Sequence, residues 1–225
     1  MSQTIISGQG APAERLALGG RTMSQGMFGG IALVLGIVGL AIAGNYPSAE
    51  TYLDAIAQIF LGLSLIVFGM ALAMAYIRVV SNVESPGTVT GTTADMFLGG
   101  AVVILGVLAL VHIVPQILIP TAAIVVGVGL LLNSASSVRA ATLETDVSAE
   151  RTLVRRVNEE LVFATASLRA VAGVSVAVLG ILGLTISADT MVLTLVAAIV
   201  AGAAMLLAST SLSSRFVRTM IPHTA

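Results

Sequence analysis

The chain has 225 residues, of which 57% are hydrophobic and 9% charged. An ordinary soluble domain carries roughly 25% charged residues. A chain this long and this poor in charge cannot clothe a water-facing surface, so much of it must face lipid. Cys is absent, which excludes a disulfide framework, a thiolate metal site and a cysteine nucleophile.

A bilayer core about 30 Å thick needs roughly 20 apolar residues per helix. Six segments meet that need, at residues 27–44, 53–76, 96–114, 116–133, 168–186 and 191–209. A tail, 1–22, precedes the first and carries Arg15 and Arg21. The first segment ends in Ala41-Ile42-Ala43, which resembles a signal-peptide cleavage site. It shares its core phrase with two later segments, however, and is therefore expected to be a retained span.

Asp54 sits near the outer end of the second segment, and Gln58 follows one turn deeper on the same helical face. Ionisable residues within a membrane are costly and point to function. Two readings stand for this pair: a proton- or cation-binding site, or the start of a helix at the interface. Arg78 follows the segment, and a polar connection spans 81–94. Thr92 with Asp95 resembles a capping box that opens the third segment, with Asp where Glu or Gln is usual. His112 stands near the far end of that segment. It reads either as a polar interfacial residue or as a pH sensor or ligand to haem or magnesium. The only other histidine, His223, falls in the tail on the opposite side, so the two cannot pair.

Between the fourth and fifth segments lies an insert, 135–167. From Asp146 the chain runs without Gly or Pro to Gly173. Asp146 is placed to cap a helix, with Glu150 in its first turn. Leu153, Val157, Leu161 and Ala164 form an apolar edge, with Arg151, Arg155, Arg156, Glu159 and Glu160 around the rest. This predicts an amphipathic helix, either at an anionic lipid surface or at a partner subunit. The three glutamates offset the arginines, and nucleic acid is not an expected partner.

All ten positive charges are arginines: Arg15, Arg21, Arg78, Arg139, Arg151, Arg155, Arg156, Arg169, Arg215 and Arg218. They fall on alternate connections. Those around 45–51, 115 and 187–190 have none, and the charges on that side are Glu50, Asp54 and Asp189. Because cytoplasmic loops collect Arg and Lys, both termini are expected in the cytoplasm of a bacterial inner membrane.

The segments also repeat. Leu35-Gly36-Ile37-Val38-Gly39-Leu40, Leu105-Gly106-Val107-Leu108-Ala109-Leu110 and Leu179-Gly180-Ile181-Leu182-Gly183-Leu184 stand in the odd ones. Ala57-x-Ile59-x-x-Gly62, Ala122-x-Ile124-x-x-Gly127 and Ala197-x-Ile199-x-x-Gly202 stand in the even ones. Two ordered phrases occurring three times predict three tandem helical hairpins, at 23–80, 95–134 and 168–212. Two spans per unit make the repeats parallel. Small residues at these positions permit the close helix contacts on which association in lipid depends. Gly26-x-x-x-Gly30 is a further small-residue pair, expected to pack within the chain.

These phrases resemble those of the HdeD family, small six-span bacterial inner-membrane proteins built from such hairpins. The resemblance covers about 29–209, apart from the insert. It implies an association with stress and acid resistance, and it transfers no catalytic or binding residue, because the matching positions are packing residues.

No Gly-rich phosphate loop, paired intramembrane carboxylates or nucleophile with a base is present in the sequence, so no enzyme activity and no cofactor are expected. The expected fold class is all-α, integral membrane, with six transmembrane helices in three hairpins. The expected role is that of a structural or accessory membrane subunit, and the alternative is a channel or carrier for a small solute or protons. Expected partners are the bilayer and either other membrane subunits or further copies of the chain.

Overall fold

The computed structural model describes the backbone of residues 12–43, 45–80, 89–147, 152–186 and 190–218. Side chains are described for 26–43, 45–46, 48–70, 96–135, 164–186 and 190–209. Six helices account for nearly all of it: α1 (Pro12–Ile42), α2 (Pro47–Val80), α3 (Val89–Leu110), α4 (Pro115–Val147), α5 (Thr152–Thr185) and α6 (Thr190–Arg218). No strand occurs among the described residues.

Three helices open on proline, at Pro12, Pro47 and Pro115. Proline suits that position because its fixed φ is helical and the N–H it lacks has no partner there anyway. Glu50 in the first turn of α2 adds a favourable charge near the positive end of the helix dipole. The turn between α3 and α4 is made by two residues in the left-handed region, His112 (φ 61°) and Val114 (φ 47°). Histidine is among the residues enriched there; a β-branched residue is not, so Val114 holds a strained backbone immediately before Pro115.

Four stretches are long and apolar enough to cross a membrane: Ser48–Met70, Pro115–Ala135, Ala164–Thr185 and Thr190–Ser209. The apolar stretches Gly26–Ile42 and Met96–Leu110 are shorter among the described residues. α4 continues beyond Asn133 to Val147, and α5 runs unbroken from Thr152 into its apolar stretch. Asp146 therefore lies in the last turn of α4, not at the start of the amphipathic helix, and Thr92 lies inside α3, not at its cap. In both places the local residues suit a helix end, and continuation of the neighbouring helix overrides that signal.

Each helix packs on its neighbours in sequence, and α6 also packs on α1, which closes a ring. α2, α4 and α6 meet one another across the middle. The most extensive contacts are α2 with α3, α4 with α5 and α6 with α1. Glycine is the cause in each case. A Cβ built on Gly62 would stand 2.8 Å from the Gly99 carbonyl oxygen, one on Gly127 2.7 Å from that of Gly173, and one on Gly202 2.6 Å from that of Gly29. Further along, Ile59, Ile124 and Ile199 fill the space over Gly106, Gly180 and Gly36. The same pair of contacts thus occurs three times, always between an even helix and the next odd one.

The core lies where the even helices converge. Ala57, Leu61 and Leu65 of α2 meet Ala122, Ala123, Val126 and Leu130 of α4 and Ala197, Ala198, Ala201 and Met205 of α6. Ala32, Val102 and Val176 close the core from the odd helices. The outward faces are as apolar as the core: Phe97, Ile104, Val111, Val171 and Ile181 are all more than half exposed. Water does not tolerate a continuous surface of this kind, and lipid does.

Among the described residues, one basic side chain is buried in the bundle. Arg169, grouped with the loop arginines by sequence, instead lies within the Ala164–Thr185 stretch and is buried. Its guanidinium sits 4.8 Å from the centroid of the Phe68 ring on α2. A desolvated cation over an aromatic face contributes about 2 kcal/mol. Arg169→Ala is therefore expected to lower stability by at least about 1–2 kcal/mol, and Arg169→Lys by less; thermal unfolding in detergent measures both.

Candidate functional site

When the even helices are aligned on their Ala-x-Ile phrases, matching positions form layers. Glu50, Pro115 and Thr190 come first, then Asp54, Ile119 and Thr194, then Gln58, Ala123 and Ala198. Beyond them come Leu61, Val126 and Ala201, then Leu65, Leu130 and Met205, with Ser64 of α2 buried between these two layers. The polar residues at the near end come from α2 and α6 alone. α4 supplies Ile119, which packs with Ala55 and Ala109 beside them.

Asp54 is fully buried, as are Gln58 and Thr194. Asp54 lies about 10 Å along α2 from Pro47, at 1.5 Å per residue, so it is not at the helix end that an interfacial residue would occupy. The Thr194 hydroxyl donates to Asp54 Oδ2 across the interface of α2 and α6. The same hydroxyl is 3.1 Å from the Thr190 carbonyl and 3.0 Å from that of Met191. A hydroxyl has one hydrogen, so it serves one of these acceptors at a time. Gln58 Nε2 lies 3.5 Å from Asp54 Oδ1, at the outer limit of a hydrogen bond. Gln58 Oε1 is buried and has no hydrogen-bond partner. Glu50, one turn above Asp54, is nearly as buried.

The sequence indicates Asp54 and Gln58 as a pair on one face, and the structure brings them together. It adds Thr194, which sequence reasoning missed; its only signal is that it occupies the position matching Asp54 in the third even segment. His112 is not part of this cluster. It is exposed in the α3–α4 turn, its Nδ1 lies 3.1 Å from the Leu110 carbonyl, and its ring meets Tyr52 edge-on at 5.0 Å. These contacts and its positive φ explain it as a turn residue. Arg151 lies outside the described residues, and Arg155 and Arg156 lie on the described backbone of α5 with side chains outside the description.

At the opposite end, Asn133 and Ser134 of α4 and Ser209 of α6 are buried near the level of Phe68 and Arg169. The core therefore has two polar ends separated by layers in which, among the described residues, Ser64 is the one buried polar side chain. Among the described residues, no group of three His, Cys, Asp or Glu side chains is arranged to hold a metal ion. No family model matches the chain, and no curated protein or solved structure matches it either.

Proposed function

We propose that the chain is a non-enzymatic, six-span membrane protein whose three parallel hairpins form a closed ring, and that it serves as a structural or accessory subunit. The supporting observation is the run of apolar layers between the two polar ends. Leu61, Val126, Ala201, Leu65, Leu130 and Met205 fill the axis with packed side chains, and among the described residues Ser64 alone is a buried polar side chain at their level, where a pore or carrier needs a path of polar groups at mid-depth. Recurrence of the glycine contacts supports the hairpin repeats, and the alternation of arginines supports cytoplasmic termini in a bacterial inner membrane. An HdeD-like association with stress remains part of this proposal on the strength of the repeated phrases.

A second reading, transport of protons or a small solute, draws on one observation, the burial of Asp54. Two measurements separate them. Extraction in mild detergent followed by a native gel and mass spectrometry should place the protein in a band with other membrane proteins; migration alone or as a small homo-oligomer argues against an accessory role. In proteoliposomes the carrier reading requires a proton or solute flux that Asp54→Asn removes, and the accessory reading requires none in either protein.

A further inference from the structure

We propose that Asp54, Gln58 and Thr194 form a binding site for a monovalent metal cation of sodium's size. An ionised carboxylate taken out of water must be compensated by charge or by several donors. Asp54 is completely buried, yet its donors are one shared hydroxyl and one amide at the limit of bonding distance. Compensation by a basic residue is not available at this end, since the connections around 45–51, 115 and 187–190 contain no Lys or Arg. Glu50, one turn away, adds negative charge.

The second observation is independent of the acids. Gln58 Oε1 is buried without a donor, and the two ends of an amide are interchangeable in placement. With the amide turned, its oxygen takes the place of Nε2, 3.5 Å from Asp54 Oδ1. Two oxygens at that spacing hold a cation about 2.4 Å from each, the distance hard cations of this radius keep from oxygen. Thr194 completes the set: its hydrogen passes to the Thr190 or Met191 carbonyl, and a lone pair of Oγ1 turns to the cation.

The donors are all oxygen, which suits an alkali ion better than a transition metal. Calcium takes roughly six to eight oxygens, commonly with several carboxylates, and among the described residues Asp54 is the one carboxylate hydrogen-bonded in this cluster. A proton on Asp54 would satisfy the carboxyl group and, with the amide turned, would also face Gln58 Oε1, so proton and cation are rival occupants that the binding test separates. The group that faces Asp54 from α6 is the uncharged Thr194, and beside it Ala109 of α3, Ile119 of α4 and Met191 of α6 pack around the adjacent Ala55. Among the described residues, Glu50 is its ionisable neighbour, while His112 is exposed and turned to Tyr52.

The test is binding of radioactive sodium to the purified full chain in detergent, by scintillation proximity in choline buffer. Wild type should give a saturable signal, displaced by unlabelled sodium, poorly by potassium, and by acid as protons compete for the carboxylate. Asp54→Asn should abolish it. Gln58→Ala and Thr194→Val should each weaken it roughly tenfold or more, and Thr194→Ser should retain it. A monodisperse gel-filtration peak for each variant separates loss of binding from loss of fold. No saturable signal from folded wild type overturns the proposal, as does a signal indifferent to Gln58→Ala and Thr194→Val. Proton uptake that depends on Asp54 without sodium binding also overturns it, in favour of a protonation site.

Discussion

Gly127→Val is expected to disrupt the bundle more than any other single apolar substitution. A Cβ there would stand 2.6 Å from the Ala177 amide nitrogen and 2.7 Å from the Gly173 carbonyl oxygen. Both are backbone atoms of α5, so no side chain can rotate away, and the two helices must separate along their contact. Overpacking typically costs about 1–3 kcal/mol when side chains yield; here the loss should reach or exceed the top of that range. Gly62→Val and Gly202→Val meet the same obstacle in the other two contacts. Gly100 supplies the comparison, because nothing lies within 4 Å of its built Cβ. Gly100→Ala should stabilise α3 by about 0.5–1 kcal/mol through reduced backbone freedom in the unfolded chain. Unfolding of the purified variants in detergent reads both effects. A Gly127→Val protein as stable as wild type would mean that the glycine contacts do not hold the ring.

Ile104→Lys is the second large effect, and it tests the membrane rather than the packing. Ile104 is 61% exposed, within the Met96–Leu110 stretch of α3. In a soluble protein, a lysine at an exposed helical position changes stability by less than about 0.5 kcal/mol. At the centre of a membrane helix the same charge costs about 3 kcal/mol on insertion. The variant should therefore fail to insert α3 efficiently, lowering its yield in the membrane fraction severalfold. Glycosylation sites placed in the α2–α3 and α3–α4 connections report the topology directly. Normal insertion of Ile104→Lys would count against α3 as a span, and with it against the six-span proposal.

Much of the packing was legible because it is encoded in short, repeated local phrases. Gly36, Gly106 and Gly180 stood out with their flanking leucines, and Ile59, Ile124 and Ile199 with theirs; in space these two sets meet. A third set carries the same signal more faintly. Gly29, Gly99 and Gly173 each lie seven residues before the marked glycine, two turns along the same face. They stand against the backbones of Gly202, Gly62 and Gly127. Thr194 was not legible, because its role depends on α6 meeting α2, and its bond to Asp54 joins residues 140 apart in sequence. A threonine in an apolar helix looks the same whether it bonds its own backbone or a carboxylate on another helix. Burial of Asp54 was hidden for a related reason. Position along a span sets depth, but only the partner helices decide whether a side chain faces headgroups or the core. Arg169 is hard to place from sequence because charge usually marks a loop, whereas its long apolar stem lets the guanidinium reach Phe68 from within the helix.

Closure of α6 onto α1 bears on the order in which the molecule can be made. Gly29 and Gly36 leave the ribosome early, yet the surfaces they meet, around Gly202 and Ile199, are among the last synthesised. The first hairpin must wait with one flank uncovered until the third arrives, and in that interval the flank can pair with the third hairpin of another molecule. The exchanged dimer would contain the same contacts as the monomer, so crowding of nascent chains, rather than any difference in contact energy, would decide between them. A chain rewired to begin at α3 and end at α2 would transfer that waiting flank to another hairpin while leaving the finished ring unchanged.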